Sequence, residues 1–333
     1  MSTPMGVGVI GLGMFGRLHC RAVAEHHRLT LATVFDTDSA TAAEVAGTWN
    51  ARAARDLQDL VRDPSIEAVI VCTPEDRHVE PVRAALEAGK HVLVEKPLTT
   101  ESASAAALAE LAERNRLVLL VGHILRFDPR YVHAREAVAS GRLGPLGHIW
   151  ARRNNPRSAA RRVGGRVSLV FYLGIHDIDA ALWIAGDAPE SVFARSSAVV
   201  NRDLGVEDGL FALLRLAGGA VVSLESSWAM PEQLGSRVYG GLDVVGRDGM
   251  VKVDLDRPGL YEVGANGSNA IDPNIWPVVN GRLEGDLVRE VDHFARCVLD
   301  GATPIVPSQD AVTAVRVAEA ILRSARTEEV VRL

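Results

Sequence analysis

The chain has 333 residues, of which 47% are hydrophobic and 23% charged, and its formal net charge is −6. This length suffices for two domains with separate cores, and the absence of a polybasic block argues against nucleic acid or an anionic membrane surface as a partner. Its 3 cysteines follow neither a disulfide framework nor a zinc-ligand spacing, so we expect a reduced, cytoplasmic protein with no metal site, export signal or membrane span.

A glycine-rich turn follows the first apolar segment. Residues 7–10 are predicted to form a strand that runs into Gly11-Leu-Gly13-Met14-Phe15-Gly16, after which 17–25 has the pattern of a helix. In such a unit Gly11 permits the tight turn, Gly13 lets the backbone approach a pyrophosphate, and Gly16 lets the helix pack on the strand. The motif therefore predicts a dinucleotide site with the phosphates at the helix N-terminus, beside Met14 and Phe15.

A single acid follows the second apolar segment. The predicted strand 29–35 ends in Asp36, about 20 residues after Gly16. A carboxylate at this offset accepts hydrogen bonds from the hydroxyls of the adenosine ribose and repels a 2′-phosphate. We therefore expect NAD to be preferred over NADP. The alternative for Asp36 is a helix cap or a turn residue.

Strands and helices continue to alternate up to residue 122. The predicted helices are 57–62, behind an N-cap at Asp56, and 102–114, and the predicted strands are 68–72 and 117–122. Thr73-Pro74 ends the strand 68–72, and His78 opens the helix after it, unless His78 is only a surface cap. This alternation indicates a doubly wound parallel sheet, so residues 1–122 are predicted to form an N-terminal Rossmann domain.

The strand predicted at 91–95 carries the strongest chemical signal. Its apolar run ends in Glu95, Lys96 and Pro97, at the carboxyl end of a strand, where ligands bind in open α/β sheets. Since nearly all of the 36 basic residues are arginines, the lysine at position 96 favours a need for a compact ammonium group. The alternative is an ion pair that only closes the strand end.

Beyond residue 122 the pattern changes. Helices are predicted at 131–140, 168–185, 284–300 and 308–326, and strands at 149–154, 191–200, 209–216, 220–228, 237–245 and 249–254. Because the later strands follow one another directly, residues 123–333 are predicted to form an α+β domain with a mostly antiparallel open sheet. Residues 156–165 are expected to form a loop, and its basic, glycine-containing part 161–165 is expected to be mobile. We expect this loop to contact the substrate, together with Asn154 and Asn155 before it.

Several motifs occur together in this order. They are the glycine motif, the segments 72–78, 89–99 and 126–129, and Gly174-Ile-His-Asp-Ile-Asp179. In this combination the chain resembles, over nearly its whole length, the Gfo/Idh/MocA oxidoreductases, which are NAD(P)-dependent enzymes of sugars, inositols and related polyols. The resemblance implies hydride transfer between a secondary hydroxyl and the nicotinamide.

The resemblance also implies a role for individual residues. Lys96 would hydrogen-bond the reacting hydroxyl and the nicotinamide ribose, His176 would be the general acid/base, and the Lys96–Pro97 peptide is often cis in relatives. The residues that would line the cofactor are Thr73, Pro74, His78, Glu95, Lys96 and Pro97. Arg126 would bind substrate near the interdomain cleft, and the sheet of the second domain would form the interface of a homodimer or homotetramer.

The chemistry requires these residue types. An imidazole, with an ordinary pKa near ~6.5, can take up and return the hydroxyl proton around neutrality. A neighbouring ammonium group stabilises the developing alkoxide. Without the resemblance, a lone histidine such as His176 in an apolar helix would more often be a core residue.

One position departs from the family pattern. Relatives usually carry an aspartate one helical turn before the histidine, and here that position is Tyr172. A phenol can hydrogen-bond a sugar hydroxyl, but it brings no negative charge to orient the imidazole. We therefore expect Tyr172 to bind substrate beside His176 and to support catalysis as a neutral partner.

Two other functions stay open from the sequence. One is an NAD-dependent glycoside hydrolase that oxidises its substrate transiently, and the other is a non-catalytic dinucleotide sensor. A sensor would tolerate the loss of Lys96 and His176, and both are present. A sugar, polyol or inositol dehydrogenase is therefore the leading hypothesis.

Overall fold

Six parallel strands form the sheet of the first compact unit. The computed structural model of the protein describes residues 3–232, 238–257, 259–264 and 267–333. The strands are β1 (Met5–Ile10), β2 (Leu29–Phe35), β3 (Arg52–Ala53), β4 (Ala68–Val71), β5 (His91–Glu95) and β6 (Leu119–Gly122), in the order β3-β2-β1-β4-β5-β6. Every neighbouring pair is parallel, which confirms the predicted doubly wound Rossmann sheet.

Helices cover this sheet because its strands are apolar on both faces. Every residue of β1 and of β4 is buried, as expected for a parallel sheet between two helical layers. The helices are α1 (Met14–Ala24), α2 (Ser39–Trp49), α3 (Leu57–Val61), α4 (Val79–Glu87) and α5 (Ser102–Asn115). The predicted N-cap at Asp56 is confirmed, since its carboxylate accepts a hydrogen bond from the backbone N–H of Asp59.

The second compact unit is built on a mixed sheet of seven strands. Its helices are α6 (Pro129–Ala139), α7 (Arg157–Val163) and α8 (Ile175–Ala185). The strands of the sheet are β7 (Leu146–Pro156), β8 (Pro189–Ser197), β9 (Gly209–Leu216), β10 (Val221–Met230), β11 (Tyr239–Gly246), β12 (Met250–Asp254) and β17 (Val331–Arg332), near the end of the chain. A separate hairpin consists of β13 (Tyr261–Gly264) and β14 (Gly267–Ala270). The sheet order is β12-β11-β7-β10-β9-β8-β17. Only the pair of β7 and β10 is parallel, so the predicted mostly antiparallel sheet is confirmed.

The chain passes between the two units more than once. The first unit contains residues 1–124 and 274–312, and the second contains 125–273 and 313–333. The elements after residue 273 are the short pair β15 (Val278–Val279) and β16 (Arg282–Leu283), α9 (Asp286–Asp300) and α10 (Ser308–Thr327). The second predicted domain, 123–333, is thus interrupted by a segment that packs with the first.

The segment 156–165 is largely helical, so the expectation of a loop there was wrong. Helix α7 begins after Pro156 and ends at Gly164, which has a φ of 64°. The backbone N–H and the hydroxyl of Ser158 both donate to the Glu232 carboxylate, which holds the first turn of the helix. Between these two ends the alanines and arginines of the segment favour a helix.

The observed bounds of other elements differ from the predicted ones by a few residues. The helix predicted at 168–185 begins with a π-helical turn, Val170–Gly174, which continues directly into α8. The strand predicted at 149–154 extends over Leu146–Pro156, and the first residue of the strand predicted at 237–245 lies outside the described residues. Among the described helices, none has both the length and the apolar character needed to span a membrane.

Candidate functional site

The glycine motif forms a tight turn between β1 and α1. Gly11 has a φ of 85°, and a Cβ there would lie 2.7 Å from the carbonyl of Cys72, so only glycine fits. A Cβ on Gly16 would lie 1.9 Å from the carbonyl oxygen of Gly11, which explains the close packing of helix on strand. The space beside Gly13 is open instead, with no atom within 4 Å of an added Cβ. The loop therefore leaves room for a ligand at one of its three glycines.

Asp36 binds back to this loop. Its carboxylate accepts hydrogen bonds from the backbone N–H groups of Leu12, at 2.7 Å, and Asp38, at 2.9 Å. Asp36 therefore joins the end of β2 to the glycine turn. The ribose contact expected for Asp36 stays a prediction, whereas the turn role weighed as its alternative is observed in these two hydrogen bonds.

His78 links the ends of two neighbouring strands. The ring is 1% exposed, with Nδ1 at 2.7 Å from the carbonyl oxygen of Pro97 and Nε2 at 2.9 Å from that of Thr73. Burial lowers the pKa of His78, and the two carbonyl groups oppose that shift. The alternative of a surface cap is wrong, because the side chain lies inside the unit and holds the segments after β4 and β5 together.

The end of β5 is buried and polar. Lys96 is 9% exposed, and the Lys96–Pro97 peptide is cis. The Glu95 carboxylate lies 2.9 Å from Nε2 of His19, on α1. Glu95 is therefore engaged inside the first unit, and the cofactor contact expected for it stays a prediction.

The remaining cofactor candidates of this unit lie at the same sheet edge. Met14 is the first residue of α1 and is 51% exposed, whereas the ring of Phe15 packs edge-on against Trp276 at a centroid distance of 4.9 Å. Thr73 and Pro74 follow β4, and the Thr73 hydroxyl donates to the carbonyl oxygen of Arg77. The carboxyl ends of β1, β2, β4 and β5 thus bring most of the predicted cofactor residues to one edge.

In the second unit, Tyr172 and His176 lie on one accessible face of a helical segment. These two residues are partly exposed, whereas all the remaining residues from 169 to 181 are buried. The Tyr172 hydroxyl lies 3.5 Å from a guanidinium nitrogen of Arg162, and its ring lies 5.9 Å from that of Trp228. The accessible face therefore presents an imidazole, a phenol and a guanidinium group.

The two aspartates that follow His176 point into the unit. Asp177 accepts two hydrogen bonds from Arg153, at 2.9 and 3.1 Å, and Asp179 accepts two from Arg126, at 3.0 and 2.6 Å. Burial raises the pKa of Asp177, and the Arg153 guanidinium opposes that shift. These ion pairs fix the orientation of α8, which carries His176. The motif at 174–179 did not indicate this role for the two aspartates.

The expected substrate residues on β7 and in the turn before α6 are only partly accessible. Arg126 is 3% exposed and bound to Asp179, and Asn154 is 1% exposed and donates to Glu225 at 2.8 Å. Asn155, next to it, is partly exposed. Direct substrate contact by Arg126 and Asn154 stays a prediction, and Arg162 is an accessible residue that was expected only as part of a loop.

Comparisons with known proteins agree with this arrangement. Residues 5–123 match the family model described as "Oxidoreductase family, NAD-binding Rossmann fold", and residues 131–252 match the "GFO/IDH/MocA C-terminal domain". Inositol 2-dehydrogenase from Rubrobacter xylanophilus is 30% identical over 337 residues, which cover 98% of this chain and 92% of that protein. D-xylose 1-dehydrogenase (NADP(+)) 2 from Haloferax volcanii is 28% identical over 346 residues, covering 98% of both chains.

A solved structure shows the same fold. GenD2 from gentamicin A biosynthesis, in complex with NAD, superposes with a TM-score of 0.85 at 25% identity, covering 100% of this chain and 97% of that chain. The two family models together match well over half of the sequence, in the two regions where the sheets and the candidate residues lie. The chain therefore belongs to the Gfo/Idh/MocA family of oxidoreductases.

Proposed function

We propose that the chain moves a hydride between NAD and a secondary hydroxyl of a sugar, polyol or inositol-like substrate. The accessible pair of Tyr172 and His176 on an otherwise buried helical segment carries the proposal, because it offers a proton acceptor and a neutral hydrogen-bonding group side by side. Family membership supplies the reaction class, oxidation of a CH–OH group, and the named relatives act on an inositol and on D-xylose.

The first unit fits a dinucleotide. Gly13 leaves open space, α1 begins beside it without a side-chain cap, and no acidic residue lies in the first turn of α1. The exposed N–H groups of this helix end would bind the pyrophosphate oxygens, and the Asp36 carboxylate would accept hydrogen bonds from the adenosine ribose. When bound, the nicotinamide supplies the hydride acceptor.

NAD is proposed as the preferred cofactor on the basis of Asp36. A relative that uses NADP(+) shows that family membership alone does not decide this preference. A 2′-phosphate placed near Asp36 would bring two negative charges together at a partly exposed site. Asp36 already holds the loop through Leu12, so its position is fixed before a cofactor binds.

Two residues are proposed to handle the proton and the developing charge. His176 would take up the hydroxyl proton as the hydride leaves carbon, and return it in the reverse direction. The Lys96 ammonium would hydrogen-bond the same oxygen and stabilise its negative charge. Tyr172 would hold a neighbouring hydroxyl of the substrate without adding charge.

A screen of purified protein tests this function. We expect NADH formation with at least one polyol or sugar, and His176→Ala and Lys96→Ala should each lower kcat/KM about 10²-fold or more. His133→Ala is the matched control, since His133 is exposed on α6. A folded protein that forms NADH equally well with and without the His176 imidazole would contradict the proposal. Product formation without net NADH would instead favour the glycosidase alternative.

The open face of the second sheet is proposed to pair with a second copy of the chain in a homodimer or homotetramer. Three strands of this sheet carry exposed large apolar side chains: Phe211 (51%) and Leu213 (54%) on β9, Val221 (36%) on β10 and Met250 (54%) on β12. Exposed apolar side chains on one sheet are typical of a protein interface. Phe211→Glu should reduce the molar mass measured by light scattering, and a wild-type protein that is monomeric at micromolar concentration would refute this proposal.

A cytoplasmic location is proposed from the cysteines. Cys20, Cys72 and Cys297 are all free thiols. Such thiols persist in a reducing compartment.

A further inference from the structure

Glu290 is a fully buried acid whose carboxyl group has no ion pair or hydrogen bond among the described residues. It lies on α9, is 0% exposed, and neither carboxyl oxygen has a hydrogen-bond partner among the described residues. Buried polar groups are nearly always hydrogen-bonded, and a buried carboxylate without a cation is among the most costly groups in a protein. The position of Glu290 therefore requires an explanation.

Glu290 faces two other polar side chains in the first unit. Ligand atoms of His19, on α1, of Glu95, at the end of β5, and of Glu290 all lie within 4.8 Å of one another. His19 and Glu95 contact each other directly at 2.9 Å through Nε2. Nδ1 of His19 is also buried without a hydrogen-bond partner among the described residues. Three elements thus bring an acid, an imidazole and a second acid together.

The surroundings of this cluster shift the pKa values of its two acids in opposite directions. Burial opposes ionisation of Glu95, but the hydrogen bond and charge of His19, with Lys96 and His78, lower the pKa of Glu95 overall. Burial raises the pKa of Glu290 well above its ordinary value, and the Glu95 and Asp286 charges add to this shift. The thiols of Cys20 and Cys72 also lie near the cluster. Among the described residues, cations therefore support Glu95, whereas the charges that act on Glu290 are those of two acids.

We propose that Glu290 is held as an uncharged carboxylic acid and, with His19, is a positioning residue for Glu95 and for the adjoining Lys96. His19 contacts Glu95 directly through Nε2, whereas Glu290 lies beside this pair without a hydrogen-bond partner among the described residues, so its effect on Glu95 comes from the charge that it does not carry. The ligand atoms of the three residues lie within 4.8 Å of one another, so an ionised Glu290 would place two carboxylates this close together in a buried site.

The consequence concerns the reaction, and it rests on the proposed role of Lys96. Glu95 directly precedes Lys96, so a change in the charge or direction of the Glu95 carboxylate shifts the ammonium group. Ionisation of Glu290 would place a second negative charge beside Glu95, which carries one already. Loss of the Glu290 proton should therefore lower catalysis without a change in substrate contacts.

Infrared spectroscopy tests the proton itself. The spectrum of the whole protein at pH 7 should contain the carbonyl band of a protonated, buried carboxylic acid, and Glu290→Gln should remove that band. Glu284→Gln is the matched control, because Glu284 is exposed just before α9 and should leave the band in place. Absence of the band from the wild-type protein would overturn the proposal. So would one equivalent of a divalent metal, found by elemental analysis, that Glu290→Gln loses.

Kinetics test the positioning role. In the wild type, kcat/KM should fall up to about 10-fold per pH unit once the pH exceeds the raised pKa of Glu290, and Glu290→Gln should remove this fall. Glu290→Ala should lower kcat about 10-fold or more at every pH, with KM for the substrate within about 3-fold of the wild type. Equal alkaline profiles for wild type and Glu290→Gln would overturn the positioning role. The infrared experiment needs no turnover, so a protein that shows the band but reduces no NAD would refute only the proposed function.

Discussion

The ion pair of Arg153 and Asp177 allows the structural role of the residue after His176 to be separated from catalysis. The side chains are 7% and 2% exposed, and Arg153 also donates to the Tyr131 hydroxyl at 3.0 Å. Asp177→Asn removes the negative charge and leaves the buried guanidinium without compensation. Loss of one partner of a buried pair costs about 3–5 kcal/mol, so we expect the free energy of unfolding to fall by about that amount.

Thermal unfolding measures this effect directly. In a unit of this size, about 3–5 kcal/mol corresponds to a Tm lower by roughly 6–20 °C. The double variant Arg153→Met/Asp177→Leu removes both charges, so no unpaired charge stays buried. It should therefore recover most of the lost free energy of unfolding. The coupling between the two sites is read from the double-mutant cycle.

Activity of the folded variant completes the test. Below its lower Tm, Asp177→Asn should keep kcat/KM within about 10-fold of the wild type, because the aspartate points away from the accessible face of the helix. A variant that keeps the wild-type Tm but loses activity about 10²-fold or more would refute the reasoning and assign Asp177 to catalysis.

Further predictions concern single groups. Asp36→Ala should weaken NAD binding and narrow the preference over NADP, as measured by titration with both cofactors; equal wild-type affinities would contradict the assignment. Tyr172→Phe should raise KM more than it changes the pH dependence of kcat, whereas loss of turnover would make the phenol the proton carrier. Arg162→Gln should raise KM more than Arg161→Gln does, since Arg162 contacts Tyr172 and Arg161 lies 4.0 Å from Asp203; equal effects would place the substrate elsewhere. The folded pKa of Glu290 is raised, so its stabilising contribution is complete below the unfolded value of 4.5 and is lost as pH rises toward the folded value. In urea unfolding, the free energy of unfolding of Glu290→Gln relative to the wild type should therefore increase by about 1.4 kcal/mol per pH unit in that interval. A difference in unfolding free energy that does not change with pH would exclude the raised pKa of Glu290.

Local patterns predicted the elements whose residues interact mainly with near neighbours. The strand 29–35 was placed correctly because its apolar run and its flanking residues all lie within the segment. The turn at the glycine motif was predicted for the same reason, since the backbone at Gly11 can be formed only by glycine. The helix within 156–165 was not predicted, because its first turn is bound by Glu232, which is far away in sequence.

The chemistry of the candidate site was predictable only in part. His176 and Lys96 stood out through motifs, but Glu290 is one acid in an amphipathic helix, and burial alone distinguishes it from its neighbours. Arg126 was expected to face the substrate, yet its guanidinium is bound to Asp179. Pairing between distant segments decides which charged side chains are accessible, and no periodicity in one segment contains that information.

The assignment of residues 274–312 to the first unit has a consequence for biosynthesis. All six strands of the parallel sheet have left the ribosome once residue 124 has emerged, but the end of this segment follows about 190 residues later. At about 5–20 residues per second, the sheet must wait roughly 10–40 s for its last packing partner. During that interval α1 lacks its contact with α9, and the acid that completes the His19 and Glu95 cluster has not been synthesised. A nascent chain stalled before residue 274 should therefore be more sensitive to protease in its first 124 residues than the finished protein.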